Sequence, residues 1–509
     1  MGQCMCAKKR TILKFFIVFV CFQIFIPFIL FLRGTHSKGL LRNAIFTRNV
    51  TSVAITYSSN ATEHPLRTQK LPNSGYPQRE INASCVLRDN NRLLPFRSGE
   101  LRRLEQWYSS IDRFFSINNT QPLDLPEDDG PNLYKEYDLK KPWNFTLSNQ
   151  HYEEFTILNG TKRCFIRGTA ISRKQGTTVT CVCTSGYVGQ HCSVPILIQK
   201  ALPSFHGKPR DKPRRLILAT KFNMEHHVLM LKMLQVHSAV DLFVILESNY
   251  TGHGDTRPLR LLHNLRRGYM KRFHHKIMHV FVNSFPAQGQ LKGDVAEKHI
   301  NQYIVSAIET RVSGLRNDDL FIYMDTDETP DVKLLQFLKL HNGYPFPVGF
   351  VLQSFMYGFY WERAPTKVIS VCSIHMFRDF YKGNVYALRA GKMAKGSSTF
   401  GALRTWLIGS PGNYAGWHAS WFSSPREVIT KLTSAINADF PRWGDYPEKC
   451  TFDYVATLFR KGEYFDGKTK FHPICLNDIY VLKDLPYLCK YKEYFNFMLH
   501  NPTAVKYGF

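Results

Sequence analysis

From Arg215 onward, short apolar runs alternate with amphipathic stretches, and that rhythm leaves few folds open. LILAT (216–220), DLFVILES (241–248), KIMHVFVNSF (276–285) and DLFIYM (319–324) read as strands of buried-sheet length. Between them, Glu225 to His237 carries Val228, Leu231 and Leu234 on one face, and Asp294 to Val312 makes a second helix. The alternation predicts an α/β domain with a mostly parallel sheet and helices on both faces. In such sheets ligands sit outside the carboxyl ends of the strands, where the strand order reverses. The fourth run ends in MDTDETP (324–330), which crowds Asp325, Asp327 and Glu328 at one strand end. Carboxylates that close repel one another, so a positive partner is expected there.

Asp-x-Asp at a strand end suits a hard divalent cation, with coordination positions left for phosphate oxygens. That chemistry belongs to nucleotide-sugar-dependent transfer, in which a metal-bound diphosphate leaves. The formal net charge of +26 also calls for an anionic partner. No zinc finger, basic zipper or RNA-binding signature accompanies it, so nucleic acid is not expected.

The amino end sets the compartment. Residues 1–11 read as a cytosolic tail, and 12–32 as a transmembrane signal anchor, apolar apart from Lys14, Gln23 and Pro27. Asn-x-Ser/Thr sequons at Asn49, Asn60, Asn82, Asn118, Asn144, Asn159 and Asn249 all follow that segment. Residues 33–160, rich in Ser, Asn, Thr, Pro and Arg, read as a glycosylated lumenal stem, with an amphipathic helix at 101–115. CVCTSGYVGQHC (181–192) has the C-x-C-x5-G-x2-C spacing that closes an EGF-like module, expected over 161–195. Cys183 with Cys192 and Cys164 with Cys181 are the expected disulfides, which implies an oxidising compartment. The reading is a single-pass type II membrane protein with its bulk in the secretory lumen. A transferase domain is expected over 213–500.

Five further strings add specificity. ESNYTGHGDTRPLR (247–260), MDTDETP, YGFYWE (357–362), GWHASWF (416–422) and NADFPRWGDY (437–446) follow one another in order. With the cysteine-rich string they resemble glycosyltransferase family 17 over about residues 180 to 500. The resemblance implies a GT-A-like (Rossmann-like) fold, UDP-GlcNAc as donor, a divalent metal with Mn2+ the expected ion, and inversion at the anomeric carbon. It also implies a Golgi address and an N-glycan acceptor on glycoproteins, GlcNAc going to a β-linked mannose in a β-1,4 linkage of the bisecting type. The chain departs from the family pattern at Ala419 and Phe422, where Cys is expected, and at His227, where a carboxylate is expected.

Under this resemblance Asp325 and Asp327 hold the metal and diphosphate, and Glu328 orients them. Glu247 is the candidate for uridine or ribose, with an ion pair to Arg257 or Arg260 as the alternative. Arg257 is placed for phosphate, since a guanidinium offers bidentate geometry. His418 is a candidate third ligand or phosphate donor. Trp417 and Trp421, at i and i+4 of a strand-like segment, are candidate stacking faces for the acceptor, with burial in the core as the alternative. An inverting transfer needs a base for the acceptor hydroxyl. Asp445 and Asp439 lead, followed by Glu362; Asp445 equally suits the cap of a helix expected at Glu448–Arg460. Ser424 and Glu427 form a capping box, and RRGYMKRFHHK (266–276) is expected as a solvated basic face. Two other functions compete: a non-catalytic glycan-binding membrane protein, and a glycosidase, which also uses two carboxylates.

Overall fold

The computed structural model describes most of residues 96–503. Residues 1–95, with the expected membrane segment and Asn49, Asn60 and Asn82, lie outside the described residues. So do several internal stretches, among them 124–136, 159–161, 393–404 and 435–441. Among the described residues no helix is long and apolar enough to cross a membrane.

Helix α1 (Ser98–Phe114) opens the described chain, and strand β1 (Phe145–Thr146) follows it. The sheet then begins with β2 (Leu216–Phe222), helix α2 (His226–Val236), β3 (Leu242–Ser248), helix α3 (Arg260–Arg266) and β4 (Ile277–Val282). Helix α4 (Gly293–Arg311) leads to β5 (Val312–Ser313), β6 (Leu320–Tyr323) and β7 (Glu328–Pro330). A long antiparallel pair, β8 (Val348–Met356) and β9 (Gly358–Ser373), is followed by β10 (Gly416–Ser420), helix α5 (Pro425–Ser434) and helix α6 (Phe452–Lys461). The four strands and two helices expected over 215–324, and the helix expected at 101–115, fall within a few residues of those places, whereas β1, α3 and β5 have no counterpart in the sequence reading.

Eight strands of a ten-stranded sheet run in the order β4-β3-β2-β6-β9-β8-β10-β7. The first four are mutually parallel, and the spatial order third-second-first-fourth is that of a nucleotide-binding half-sheet. The order reverses between β2 and β6, so the crevice that gathers ligands opens above those two carboxyl ends. Beyond β6 the sheet becomes mixed: β9 is antiparallel to both β6 and β8, while β10 is parallel to β8 and antiparallel to β7. Every residue of β6 is buried, as is every residue of α2, because helices cover both faces.

The segment expected as a stem is, where described over 98–123 and 137–147, a strap packed onto this sheet. Leu104, Tyr108, Phe115, Leu123 and Tyr137 join the same apolar core as β2 and α2. Arginines grip its main chain. Arg267 donates to the carbonyls of Gln121 and Phe114, Arg266 to Tyr137, and Arg311 to Trp143. Strand β1 pairs in parallel with β5, and Arg215, ion-paired with buried Asp319, reaches the Leu147 carbonyl. The basic run 266–276 is therefore a solvated face only in part, through exposed Arg266 and His275 and half-buried Lys271 and Arg272. Arg266 and Arg267 are spent on the strap, His274 is fully buried, and Lys276 donates to the carbonyls of His237 and Val240.

Three two-stranded ladders lie between the strap and the sheet, Phe155–Leu158 with Lys162–Phe165 and Thr169–Gln175 with Thr178–Cys183 being the larger two. Disulfides join Cys164 to Cys181 and Cys183 to Cys192. Gly186 and Gly189 take positive φ between Cys183 and Cys192, a conformation that costs a side-chain-bearing residue more. Asn118 and Asn144 are exposed on the strap, whereas Asn249 is half-buried and Asn159 lies outside the described residues.

Candidate active site

After Tyr323 the chain leaves the sheet, and its next four residues form a tight turn. The Glu328 N–H donates to the Asp325 carbonyl at 3.0 Å, and the Asp325 N–H to the Glu328 carboxylate at 3.0 Å. Thr326 Oγ1 donates to the Lys221 carbonyl and lies 3.3 Å from Thr220 Oγ1, locking the turn to the end of β2. On the other side the Ala419 N–H donates to the Asp327 carbonyl at 2.8 Å, and Glu328 stands opposite His418 in the β7–β10 ladder. The acidic turn thus sits at the switch point and is held on both flanks.

Its charges are met by cations. Lys221 Nζ lies 3.5 Å and Arg389 Nη2 3.7 Å from the Asp325 carboxylate. Burial pushes the Asp325 carboxyl up, but Lys221 and Arg389 more than offset it and hold it below its ordinary value. Asp327 is likewise held low against its burial, chiefly by His418, whose Nε2 is 3.5 Å away. His418 is raised in turn: burial opposes its charge, and Asp327 overrides burial. Its ring is fixed by Thr366 Oγ1 at 3.0 Å on Nδ1 and Ser420 Oγ at 3.1 Å on Nε2. Buried Glu328 accepts both arms of the Arg389 fork, at 3.0 and 2.8 Å. That pairing orients the turn and leaves Asp325 and Asp327 as the outward carboxylates, 35% and 19% exposed.

Two ionised, partly exposed carboxylates are fitting oxygen ligands for a hard divalent cation. Among the described residues no group of three His, Cys, Asp or Glu is gathered for one, so a cation held here would draw its other ligands from water and a substrate diphosphate. The residues present fit that role in which protein supplies only part of the coordination shell.

Other expected positions are placed differently. The Glu247 carboxylate is buried and accepts N–H bonds from Leu261 at 2.6 Å and Leu262 at 2.9 Å, plus His279 Nε2 at 3.0 Å. It caps helix α3 and has no face turned to a nucleotide. Arg257 donates to the Ser248 carbonyl at 2.9 Å and to Asn223, bracing the ends of β2 and β3, while its buried Nη2 has no described partner. Trp417 is fully buried, with its indole N–H on Gln235 at 2.7 Å. Trp421 falls past the end of β10 at φ +60°, so the shared strand face fails; it is buried against Phe465, with Lys431 Nζ 4.9 Å from its ring. Neither tryptophan offers an open stacking face.

Asp445 is 59% exposed in a short 3-10 turn and pairs with Arg442 at 3.3 Å. The helix expected at 448 begins at Phe452 under a Thr451 cap, so Asp445 caps nothing. Asp439 lies outside the described residues. Glu362 accepts from Gln353 at 2.9 Å. Ala419 and Phe422 are buried, and His227 packs edge-on to Phe115 and Phe497.

Sequence reasoning missed Lys221, Lys232, Arg389 and the Glu225–Lys431 pair (2.8 Å). Lys221 had a signal, a charge directly after an apolar strand. Arg389 had none, since it lies 61 residues from the Glu328 it pairs with. A cavity walled by Tyr137, Trp143, His279, Tyr303 and Arg311 lies between the strap and the outer strand β4, and the Asp325 turn contributes nothing to it.

Residues 190–388, which carry the switch point and the acidic turn, match the family described as Glycosyltransferase family 17, and the chain belongs to that family. Among proteins it resembles is the rat protein named β-1,4-mannosyl-glycoprotein 4-β-N-acetylglucosaminyltransferase. That protein is 36% identical over 358 residues, covering 68% of this chain and 65% of the rat protein. The mouse protein of the same name is 35% identical with the same coverage, and the human one is 35% identical over 336 residues, 64% of this chain and 62% of its own. The chain therefore spans just under two thirds of the length of these relatives.

Proposed function

We propose that this chain is an inverting N-acetylglucosaminyltransferase that moves GlcNAc from UDP-GlcNAc to a β-linked mannose of a glycoprotein N-glycan, in β-1,4 linkage. The observation that carries the reading is the ionised Asp325–Asp327 pair at the switch point of a nucleotide-binding half-sheet, flanked by Lys221 and Arg389. The names of its relatives support the donor sugar and the acceptor. A bound divalent ion, Mn2+ in this reading, supplies charge neutralisation for the diphosphate leaving group. Asp325 and Asp327 would hold that ion; Lys221 and Arg389 keep Asp325 ionised beforehand, and His418 keeps Asp327 ionised and fixes its direction.

Asp445 is the proposed base for the acceptor hydroxyl. Its carboxylate is open to solvent, on a turn packed against helix α5, the same helix that sends Lys431 toward Glu225 and Trp421. Exposure suits a group that must meet an incoming sugar hydroxyl. The lumenal, Golgi-resident type II topology is proposed with it, on the amino-terminal apolar run and the sequons.

The test is a donor screen of the purified full-length chain with biantennary N-glycans, with and without Mn2+. Transfer from UDP-GlcNAc that stops on chelation is expected. No transfer from any nucleotide sugar would favour the binding protein, and metal-independent glycan cleavage the glycosidase.

A further inference from the structure

Helix α2 is buried along its whole length, and its sequence HHVLMLKMLQV carries one ammonium in its centre. Lys232 is 0% exposed. Its described partners are two main-chain carbonyls: Asp325 O at 2.8 Å and Met324 O at 3.5 Å from Nζ. A charge fully removed from water is expensive, and the apolar packing of α2 has no need of it. Methionine, similar in length, would fill the same space. Burial lowers the Lys232 ammonium to about 8; Glu328, Asp325 and Asp327 of the turn above it oppose that fall, and Arg389 adds to it.

We infer that Lys232 is a positioning residue for the metal-binding turn. Its ammonium ties down the carbonyls at the end of β6. Anchoring the Asp325 carbonyl fixes the backbone from which the Asp325 carboxylate projects. The same helix also holds the other flank: Gln235 accepts from the indole of Trp417, next to the His418 that faces Asp327. Helix α2 is thus the floor under both carboxylates, and Lys232 adds a buried positive charge beneath the side where an anionic donor arrives. This inference rests on the functional reading above.

The experiment uses the full-length chain with two variants, Lys232→Met and Lys232→Gln, and measures UDP affinity in Mn2+ by calorimetry, melting temperature, and kcat and KM for UDP-GlcNAc. Lys232→Met should still fold, melting a few degrees below wild type, since relief of the buried charge is offset by the carbonyls of Met324 and Asp325 losing their donor. Its UDP affinity should nevertheless fall at least tenfold, with KM for the donor rising in step. Lys232→Gln keeps a neutral donor and should recover part of that loss. A folded Lys232→Met with UDP affinity within twofold of wild type overturns the inference, as do two variants that both fail to fold, which would make Lys232 structural. Absence of UDP binding by the wild type would instead overturn the functional reading, and this inference with it.

Discussion

The acidic turn and the strap are both held by cations, but in opposite ways. At Asp325, Asp327 and Glu328 the cations meet side-chain carboxylates, so every contact depends on which residue stands there. Along 114–147 the arginines meet main-chain carbonyls, which any residue supplies. An interface read through carbonyl oxygens asks little of the polar residues between the apolar anchors Phe115, Leu123 and Tyr137. That is why a segment with the look of a spacer is part of the fold.

The contrast can be broken in four places. The largest effect is expected from removing the strap. A chain starting near residue 96 should fold, while one starting near 148 should aggregate. Deletion strips Leu104, Tyr108, Phe115 and Leu123 from the core at about 1.5–3 kcal/mol each, on the order of the whole stability of a domain. A soluble, active chain from 148 onward, seen by size-exclusion chromatography, would make the strap an accessory after all.

Next comes the turn. Asp325→Asn or Asp327→Asn should lower turnover by about 10³-fold and abolish Mn2+-dependent UDP binding, with little change in melting temperature, because both side chains are partly exposed. Unchanged UDP affinity by calorimetry in both variants would remove the pair from the site. Third, Asp445→Asn should cut turnover by roughly 10²-fold while UDP affinity holds. Near-normal product formation at saturating donor would pass the base to Glu362 or Asp439.

The smallest effect concerns pH. Burial pushes Asp112 of α1 up to about 6, against the bond from Ser424 and the charge of Arg426. Burial and then Asp112 push Glu427 up to about 8, with Arg260 opposing and Glu225 adding to the rise. A carboxyl with a raised folded value binds more protons folded than unfolded, so its contribution favours the fold at low pH and is lost as pH rises through the folded value. Strap docking should weaken between pH 4.5 and about 8, by a few degrees of melting temperature. Glu427→Gln should flatten that slope. Asp325 and Asp327, held low, keep their charge across the same range, and the turn responds only through His418, whose raised value gives a contribution lost as pH rises through it.

How much was legible follows from the same contrast. The parallel half of the sheet could be read because its strands are continuous apolar runs and its helices keep a 3.6-residue period. The acidic turn could be read because its residues are adjacent in sequence. Glu247 and Trp417 misled for one reason: each has a polar tip that a structural partner consumed, Leu261 and Leu262 in one case and Gln235 in the other. The cations that complete the site, Lys221, Lys232 and Arg389, come from three separate elements. Arg266 and Arg267 read as surface charge, because composition does not show that their partners are carbonyls more than a hundred residues earlier.

The strap also has a mechanical character. It crosses the domain as a string of contacts taken in order: Glu100 on Arg460, Asp112 on Ser424, Gln121 on Arg267, Tyr137 on Arg266, Trp143 on Arg311 and Leu147 on Arg215. A pull at its amino end loads these one at a time, as tape is peeled, rather than all together. The first to yield would be Arg460 and Ser424, and the last is the buried Arg215–Asp319 pair at the foot of β2 and β6, the end of the sheet remote from the acidic turn. Tension on the leading segment would therefore be spent along the strap, and the mouth of the crevice would feel it last.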